Sequence, residues 1–327
     1  MTESYRIVAT KEGGPEVLER RPMDVPSPGE GEVLIRQTAI SLNFLDTYFR
    51  SGLYPWPDGA DRVPGADAAG VVEAVGAGVA DLAEGDRIAY TLPVGAYATH
   101  RIAPADRMVK VPEGVSDEVA AASMVKGLTA YYLLHRTFAV QPEHRVLFHA
   151  AAGGVGSIAG QWLKHIGATS IGTAGGPAKC EKARGLGYTH VIDYDAEDFV
   201  ERVKKITNGE GVHVVYDGVG QATYPKSLDC LRRLGMFVTF GNASGAIENF
   251  SLQDIASRGG LFATRPSLFN YMATRPELNE AAEALFARLA DGSIRIDIEQ
   301  RWPLAEAAEA HRALEARETT GSTILTP

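Results

Sequence analysis

The chain has 327 residues, enough for about two domains and a substantial buried core. Hydrophobic residues make up 45% and charged residues 22%, and the net charge of −9 argues against non-specific nucleic-acid binding and against an anionic membrane surface. Two cysteines, Cys180 and Cys230, are too few for a disulfide framework and suit a reducing cytosol, while the first 8 residues lack the apolar core of a signal peptide and no apolar run reaches membrane-spanning length.

From residue 1 to about 125 the chain is rich in short strand candidates, at 5–9, 33–39, 69–75, 87–90, 96–102 and 108–111. Gly/Pro punctuation separates them, as in Glu12-Gly-Gly-Pro15, Ser27-Pro-Gly-Glu30 and Ala83-Glu-Gly-Asp86. A bent, β-rich domain is expected. One polar insertion, Ser41-Leu-Asn-Phe-Leu-Asp-Thr-Tyr48 followed by Arg50-Ser-Gly-Leu-Tyr54, carries more hydrogen-bonding groups than a connection needs. It reads as a short helix or turn, and the Tyr54-Pro-Trp-Pro57 run beyond it leaves the loop over 53–61 open.

Near residue 125 the rhythm changes. Ser116 is placed to cap an Ala-rich helix, and a second helix is expected over 127–138. Strand candidates at 146–148, 170–173, 190–192, 212–216, 236–240 and 261–264 then alternate with helices at 154–166, 177–186, 196–207 and 222–233, and a shorter element near 251–257. Such alternation implies an α/β fold with a doubly wound parallel sheet. A helix at 277–290, strands at 295–298 and 323–325 and a helix at 304–316 close the chain, and the late strands suit a return to the first domain.

The stretch Val146-Leu-Phe-His-Ala-Ala-Ala-Gly-Gly-Val-Gly156 is a buried strand, a glycine turn and a helix start, the context of a dinucleotide-binding fingerprint. Gly153 admits a pyrophosphate close to the backbone, Gly156 allows close helix packing, and the helix N-terminus faces the phosphates. The first fingerprint position is Ala151, not Gly. An NAD-binding unit places an acid about 20 residues past the glycines, where it binds the ribose 2′-hydroxyl. Here the stretch is Gly172-Thr-Ala-Gly-Gly-Pro-Ala-Lys179, with no acid and with Lys179 placed to meet a 2′-phosphate. NADPH is therefore expected over NADH, with Tyr194 covering the adenine or bonding the phosphate.

Taken together the motifs resemble the bacterial quinone oxidoreductases, the zeta-crystallin-like, zinc-free branch of the medium-chain dehydrogenase/reductase superfamily. The resemblance runs nearly end to end, through Gly13-Gly-Pro-Glu-Val-Leu18, Asn43-Phe-Leu-Asp-Thr-Tyr48, Ser51-Gly-Leu-Tyr-Pro55, Glu84-Gly-Asp-Arg-Ile88, Lys126-Gly-Leu-Thr-Ala130, the fingerprint, Phe240-Gly-Asn-Ala-Ser-Gly245 and Thr264-Arg-Pro-Ser267. Ala at the first fingerprint position is normal for that branch. The resemblance implies a discontinuous GroES-like catalytic domain (1–125 and 267–327) and a Rossmann NADP-binding domain (126–266), with the nicotinamide in the cleft between them. It puts cofactor contacts on Asn43, Asp46, Tyr48, Thr129, Gly153, Gly154, Val155, Gly175, Lys179, Tyr194, Gly218, Phe240, Asn242 and Arg317. It also implies a homodimer paired through the last Rossmann strand, at about 261–264.

Zinc-dependent relatives place a Cys where this chain has Asn43, and Gly-His-Glu where it has Gly65-Ala66-Asp67. Those changes remove two metal donors, and two isolated cysteines cannot build a structural zinc lobe. His149 and His165 read as packing or surface residues, so no metal is expected. Without a Lewis acid, the acceptor must already be electrophilic, as quinones and activated enones are. Asn43, Tyr48 and Tyr54, with Arg265 behind them, are the candidate donors to a developing oxyanion, and Asp46 is expected to orient a tyrosine or the cofactor. Two rivals stand beside this reading. One is an NADPH-dependent reductase of α,β-unsaturated carbonyls; the other is a non-enzymatic structural or AU-rich-RNA-binding protein, against which the acidic charge weighs.

Overall fold

The computed structural model describes residues 4–59 and 61–327. Residues 1–3 of the amino-terminal segment inspected for a leader, and residue 60 of the 53–61 loop, lie outside the described residues. The chain divides into two compact units, one of Met1–Leu128, Met272–Ala290 and Ile296–Pro327, the other of Thr129–Tyr271 with Asp291–Arg295.

In chain order the first part carries β1 (Tyr5–Ala9), β2 (Leu18–Pro22), β3 (Glu32–Leu42), α1 (Phe44–Arg50), β4 (Asp67–Val75), β5 (Arg87–Thr91), β6 (His100–Pro104), β7 (Met108–Lys110) and α2 (Asp117–Tyr131). Next come β8 (Arg145–Phe148), α3 (Gly154–Ile166), β9 (Thr169–Ala174), α4 (Pro177–Gly185), β10 (His190–Asp193), α5 (Phe199–Ile206) and β11 (Val212–Asp217). They are followed by β12 (Leu231–Thr239), α6 (Leu252–Ser257), β13 (Phe262–Thr264), α7 (Leu268–Tyr271), α8 (Arg275–Ala290), β14 (Ile298–Pro303), α9 (Ala307–Glu315) and β15 (Ser322–Thr326).

The first unit is built on a seven-stranded sheet in the order β14-β15-β3-β4-β5-β7, with β6 also on β3, beside a separate β1-β2 hairpin. Strand β3 is its spine. It alternates buried and exposed positions at first, then runs buried from Ala39 to Leu42, where β15 pairs with it antiparallel. Ile7, Val33, Ile35, Ile40, Tyr90, Tyr97, Met108, Leu304 and Leu325 share one core, so residues near both ends of the chain fill the same apolar interior.

The second unit holds a six-stranded, all-parallel sheet in the order β10-β9-β8-β11-β12-β13. Counted from β8 this is 3-2-1-4-5-6, the Rossmann order, whose ligand edge is the carboxyl end of the strands. The central strands are buried runs, Val146–Leu147–Phe148 and Val214–Val215–Tyr216, as a sheet covered on both faces requires.

Several elements differ from the expectation. The helix expected over 222–233 is a series of turns with a short 3-10 segment (Leu228–Cys230), and β12 begins at Leu231. Pro225 has no N–H to offer, and Thr223 and Ser227 turn their hydroxyls to the Asp217 carboxylate. The strand expected at 96–102 is β6, shifted to His100–Pro104. Residues 97 and 99 instead serve β1, with Ile7 N–H donating to Tyr97 O and Thr99 N–H to Tyr5 O. The strand expected at 295–298 is β14, which starts at Ile298; Arg295 N–H is held by Gln161 Oε1 at 2.8 Å, ahead of the strand. The helix expected over 127–138 continues α2 as a π-helical turn, Tyr132–Thr137.

Candidate active site

Asn43, Asp46, Tyr48, Tyr54 and Arg317 lie in the first unit; Thr129, Gly153, Gly154, Val155, Gly175, Lys179, Tyr194, Gly218, Phe240, Asn242 and Arg265 lie in the second.

In the first unit the polar insertion forms helix α1, with Asn43 at its N-cap. Asn43 N–H donates to Asp46 Oδ2 at 2.9 Å, which fixes the first turn. The Asn43 amide faces the Asp67 carboxylate, which only accepts, so the facing atom is nitrogen; Nδ2 donates to Asp67 Oδ1 at 2.7 Å and to Ser41 O at 3.3 Å. Both amide hydrogens are thus committed inside the chain, which weakens Asn43 as an oxyanion donor. Asp67 Oδ2 accepts from Val125 N–H at 2.8 Å. Lys126, only 7% exposed, donates from Nζ to Ser41 Oγ at 2.7 Å.

Two carboxyls and one ammonium are therefore buried together. Burial pushes Asp46 up to about 7, with the Asp67 charge adding to the rise and the Asn43 N–H opposing it. Burial likewise lifts Asp67 to about 6, held back first by the Lys126 charge. Lys126 is pushed down by burial and pulled back by the two aspartates. None of Ser41, Asp67 or Lys126 was read as a working group from sequence. Their only signals were Asp67 at the altered Gly-Ala-Asp triplet and Lys126 in the Lys-Gly-Leu-Thr motif. Asp46 Oδ2 also accepts from the hydroxyl of Tyr97 at 3.1 Å. Tyr48 and Tyr54 meet edge to face at 5.3 Å between centroids, Tyr54 N–H donating to Tyr48 O. Arg317 is exposed in the left-handed region (φ 61°) just past α9.

In the second unit β8 leads into a turn with Ala150 at φ 55° and Gly153 as the N-cap of α3. A Cβ on Gly156 would stand 2.3 Å from Ala150 O and 2.9 Å from Ala151 Cα, so Gly156 packs against the turn itself. The Gly153 N–H is taken by Ala150 O at 2.9 Å, while Gly154 and Val155 open a 13-residue helix whose first N–H groups have no intrahelical partners, the arrangement that binds phosphate.

The neighbouring strand ends complete this edge. Asp217, buried at the end of β11, accepts from Val219 N–H, Gly220 N–H, Thr223 Oγ1 and Ser227 Oγ at 2.7–3.0 Å, which fixes the turn bearing Gly218. A Cβ on Gly218 would be 3.0 Å from the Phe240 ring. Arg265 Nη1 donates to Thr239 Oγ1 and Gly241 O, tying the end of β13 to the end of β12. Asn242 follows in that β12 loop, and Thr129 is buried in the last turn of α2. His149 is a packing residue, between Thr173 Oγ1 at 2.8 Å and Ser227 Oγ at 3.0 Å, and His165 is exposed.

Past β9, Gly175 and Gly176 precede Lys179 on the first turn of α4. No acid ends β9, but β10 brings one to the loop: Asp193 Oδ1 accepts from Gly176 N–H at 3.0 Å. That acid belongs to the adjacent strand, so spacing along β9 gave no sign of it. A Cβ on Gly175 would meet the Tyr194 hydroxyl at 2.8 Å, placing Tyr194 beside this loop.

Two family models match, an alcohol dehydrogenase GroES-like domain over residues 29–113 and a zinc-binding dehydrogenase over 154–287. Quinone oxidoreductase 1 of Escherichia coli K12 is 47% identical over 325 residues, 98% of this chain and 99% of that one. A 2-haloacrylate reductase of Burkholderia sp is 46% identical, covering 98% of each chain. The crystal structure of Escherichia coli quinone oxidoreductase complexed with NADPH superposes with a TM-score of 0.95 at 46% identity, over 99% of this chain and 100% of that one.

The donors present do not fit the zinc that one model's name carries. Asn43 turns an amide nitrogen to Asp67, both Asp67 oxygens are hydrogen-bonded, and the cation beside them is Lys126. Among the described residues no cluster of three or more His, Cys, Asp or Glu side chains could hold a metal ion. Matched along nearly its whole length, the chain belongs to the quinone oxidoreductase family of the medium-chain dehydrogenases/reductases.

Proposed function

We propose that this protein is a zinc-independent NADPH:quinone oxidoreductase. The observation that carries the reading is the β8–α3 turn, where Gly156 closes against the backbone of Ala150 and Ala151 and the N-terminus of α3 is left for a pyrophosphate. NADPH, when bound, supplies the reducing electrons, formally as hydride. The chain's residues bind and orient. Gly153, Gly154 and Val155 hold the pyrophosphate, Gly175, Lys179 and Tyr194 the 2′-phosphate end, and Thr129, Gly218, Phe240 and Asn242 the nicotinamide half, with Arg317 a further contact. Because the Asn43 amide is spent on Asp67 and Ser41, the donors to the developing oxyanion are Tyr48 and Tyr54. Arg265 braces the strand ends.

The test is NADPH and NADH oxidation with 1,4-benzoquinone, a polycyclic ortho-quinone and a 2-alkenal, in the presence of a metal chelator. Fast, chelator-resistant NADPH oxidation with a quinone is expected. Lys179→Ala should raise KM for NADPH on the order of 10-fold and leave KM for NADH unchanged, because only the 2′-phosphate partner is lost. An equal change for both nucleotides would remove Lys179 from that role. Preference for the alkenal would favour the unsaturated-carbonyl reading, which the relative named 2-haloacrylate reductase keeps in view.

The working form is inferred to be a homodimer in the cytoplasm. Strand β13 ends the parallel sheet with Phe262 56% exposed, and Leu234 is also exposed in this unit. An unpaired apolar edge invites association, and pairing two copies there removes the hazard. Cys180 and Cys230 are buried and unpaired, as suits a reducing compartment. No helix among the described residues is long and apolar enough to cross a membrane. Sedimentation should give the dimer mass for the native chain and the monomer mass for Phe262→Lys; a monomeric native chain refutes the pairing.

A further inference from the structure

A line of buried polar side chains runs through the first unit and takes no part in the reading above. Glu315, at the surface end, accepts from Arg50 Nη1 at 3.0 Å and Nη2 at 2.6 Å. Arg50 is 1% exposed, and its Nη1 also lies 2.9 Å from His311 Nδ1. His311 Nε2 lies 2.9 Å from the Tyr97 hydroxyl, and that hydroxyl lies 3.1 Å from Asp46 Oδ2. Tyr97, His311 and Asp46 are each 0% exposed. Five groups from α1, α9 and the segment before β6 thus form one chain that ends at the first turn of the site helix.

Each link has a fixed direction. A guanidinium only donates, so His311 Nδ1 accepts and the ring proton sits on Nε2. Nε2–H then donates to the Tyr97 oxygen, which leaves the Tyr97 hydrogen for Asp46. The arrangement requires a neutral imidazole, and burial together with the Arg50 charge holds His311 far down, at about 3. At the far end Asp46 Oδ2 also takes the Asn43 N–H, while buried Asp46 Oδ1 has no partner in the chain. A core in need only of packing would use apolar groups here, because a buried polar chain costs stability unless every link is made.

We propose that His311 is a positioning residue for the reaction: locked by Arg50, it aims Tyr97 at the Asp46 carboxyl, which in turn fixes Asn43 and the N-terminus of α1. The proposal deepens the NADPH:quinone reading, since it assigns a supporting shell to that site.

The test is a double-mutant cycle in the full-length protein with a conservative control. Each variant is first shown to melt cooperatively, and NADPH affinity (fluorescence titration) and kcat/KM with 1,4-benzoquinone are then measured at a temperature where all are folded. His311→Leu, which cannot pair with Arg50 or Tyr97, should weaken NADPH binding or lower kcat/KM roughly 10-fold. His311→Gln should restore most of the loss, because its amide oxygen can accept from Arg50 and its nitrogen can donate to Tyr97. In an Asp46→Ala background His311→Leu should cost little more. Losses that multiply, no rescue by Gln, or normal binding and turnover with only a lower Tm would overturn the positioning role. Absence of quinone turnover in the native chain would sink the functional reading alone, leaving the relay to be decided by NADPH affinity; absence of NADPH binding would sink both.

Discussion

Lys126→Met will destabilise the protein by about 1–3 kcal/mol near neutral to mildly alkaline pH, because it removes both the ammonium that donates to Ser41 and the nearby positive charge that offsets the buried Asp67 carboxylate. The stranded group is Asp67, whose carboxyl burial already lifts to about 6 against the opposing charge of Lys126. Removing that charge raises it further. Between the ordinary carboxylate range near about 4 and the raised value, the native state then binds more protons than the unfolded chain, so the variant loses stability as pH rises through that span. At low pH Asp67 is protonated in both proteins and no longer needs the offsetting charge of the ammonium, so the penalty should shrink. Urea melts at about pH 5 and about pH 8 measure the difference directly. A pH-independent penalty would mean that Lys126 contributes packing alone. Turnover should also fall, on the order of 100-fold, because Asp67 holds the Asn43 N-cap of α1, the helix that carries Tyr48, and small misplacements of a reacting group carry costs of that size.

Gly156→Val should abolish measurable NADPH binding and destabilise the second unit. The added Cβ would stand 2.3 Å from Ala150 O and 2.9 Å from Ala151 O, both backbone atoms that cannot swing aside as a side chain would. The turn must open, and it carries the Gly153 N-cap and the free N–H groups of α3. Overpacking of this kind costs about 1–3 kcal/mol, and the displaced turn removes the phosphate site as well. Gly185→Ala is the matched control. Gly185 is in helix α4, and a Cβ there meets nothing within 4 Å. It should leave binding intact and stabilise slightly, by up to about 0.5–1 kcal/mol. Equal effects from the two substitutions would refute the steric account.

What could be read from the sequence follows from how far each signal reaches along the chain. The β8–α3 unit was legible because strand, turn and helix lie within 22 residues, Arg145–Ile166, and each glycine acts on a near neighbour. The alternation of buried runs and helices gave the parallel sheet for the same reason. The helix expected over 222–233 failed because its apolar spacing is helical, but Pro225 and the pull of Asp217 on Thr223 and Ser227 decide otherwise. Asp46 and Asn43 were singled out on resemblance, yet the groups that set their behaviour come from afar: Asp67, Tyr97, Lys126 and His311. No local pattern announces a partner 214 residues away, the separation of Tyr97 and His311. Asp193 was missed for a related reason, since it reaches the β9 loop from a neighbouring strand.

The pairing of β15 with β3 has a consequence for the chain as it is being made. The second unit is nearly contiguous, Thr129–Tyr271, and its sheet can close once β13 has emerged. The first unit cannot. Strand β3 is made early, but Leu304 and Leu325 of its core and its partner strand β15 follow only after the second unit has been made. At ordinary synthesis rates the wait between residues 128 and 322 is about 10–40 s. Throughout that interval the edge of β3 that β15 covers in the finished fold, Ile40 to Leu42, lacks its partner. An unpaired strand edge is a template for mispairing, so the unfinished chain is exposed through β3, and a holdase would find a binding surface there.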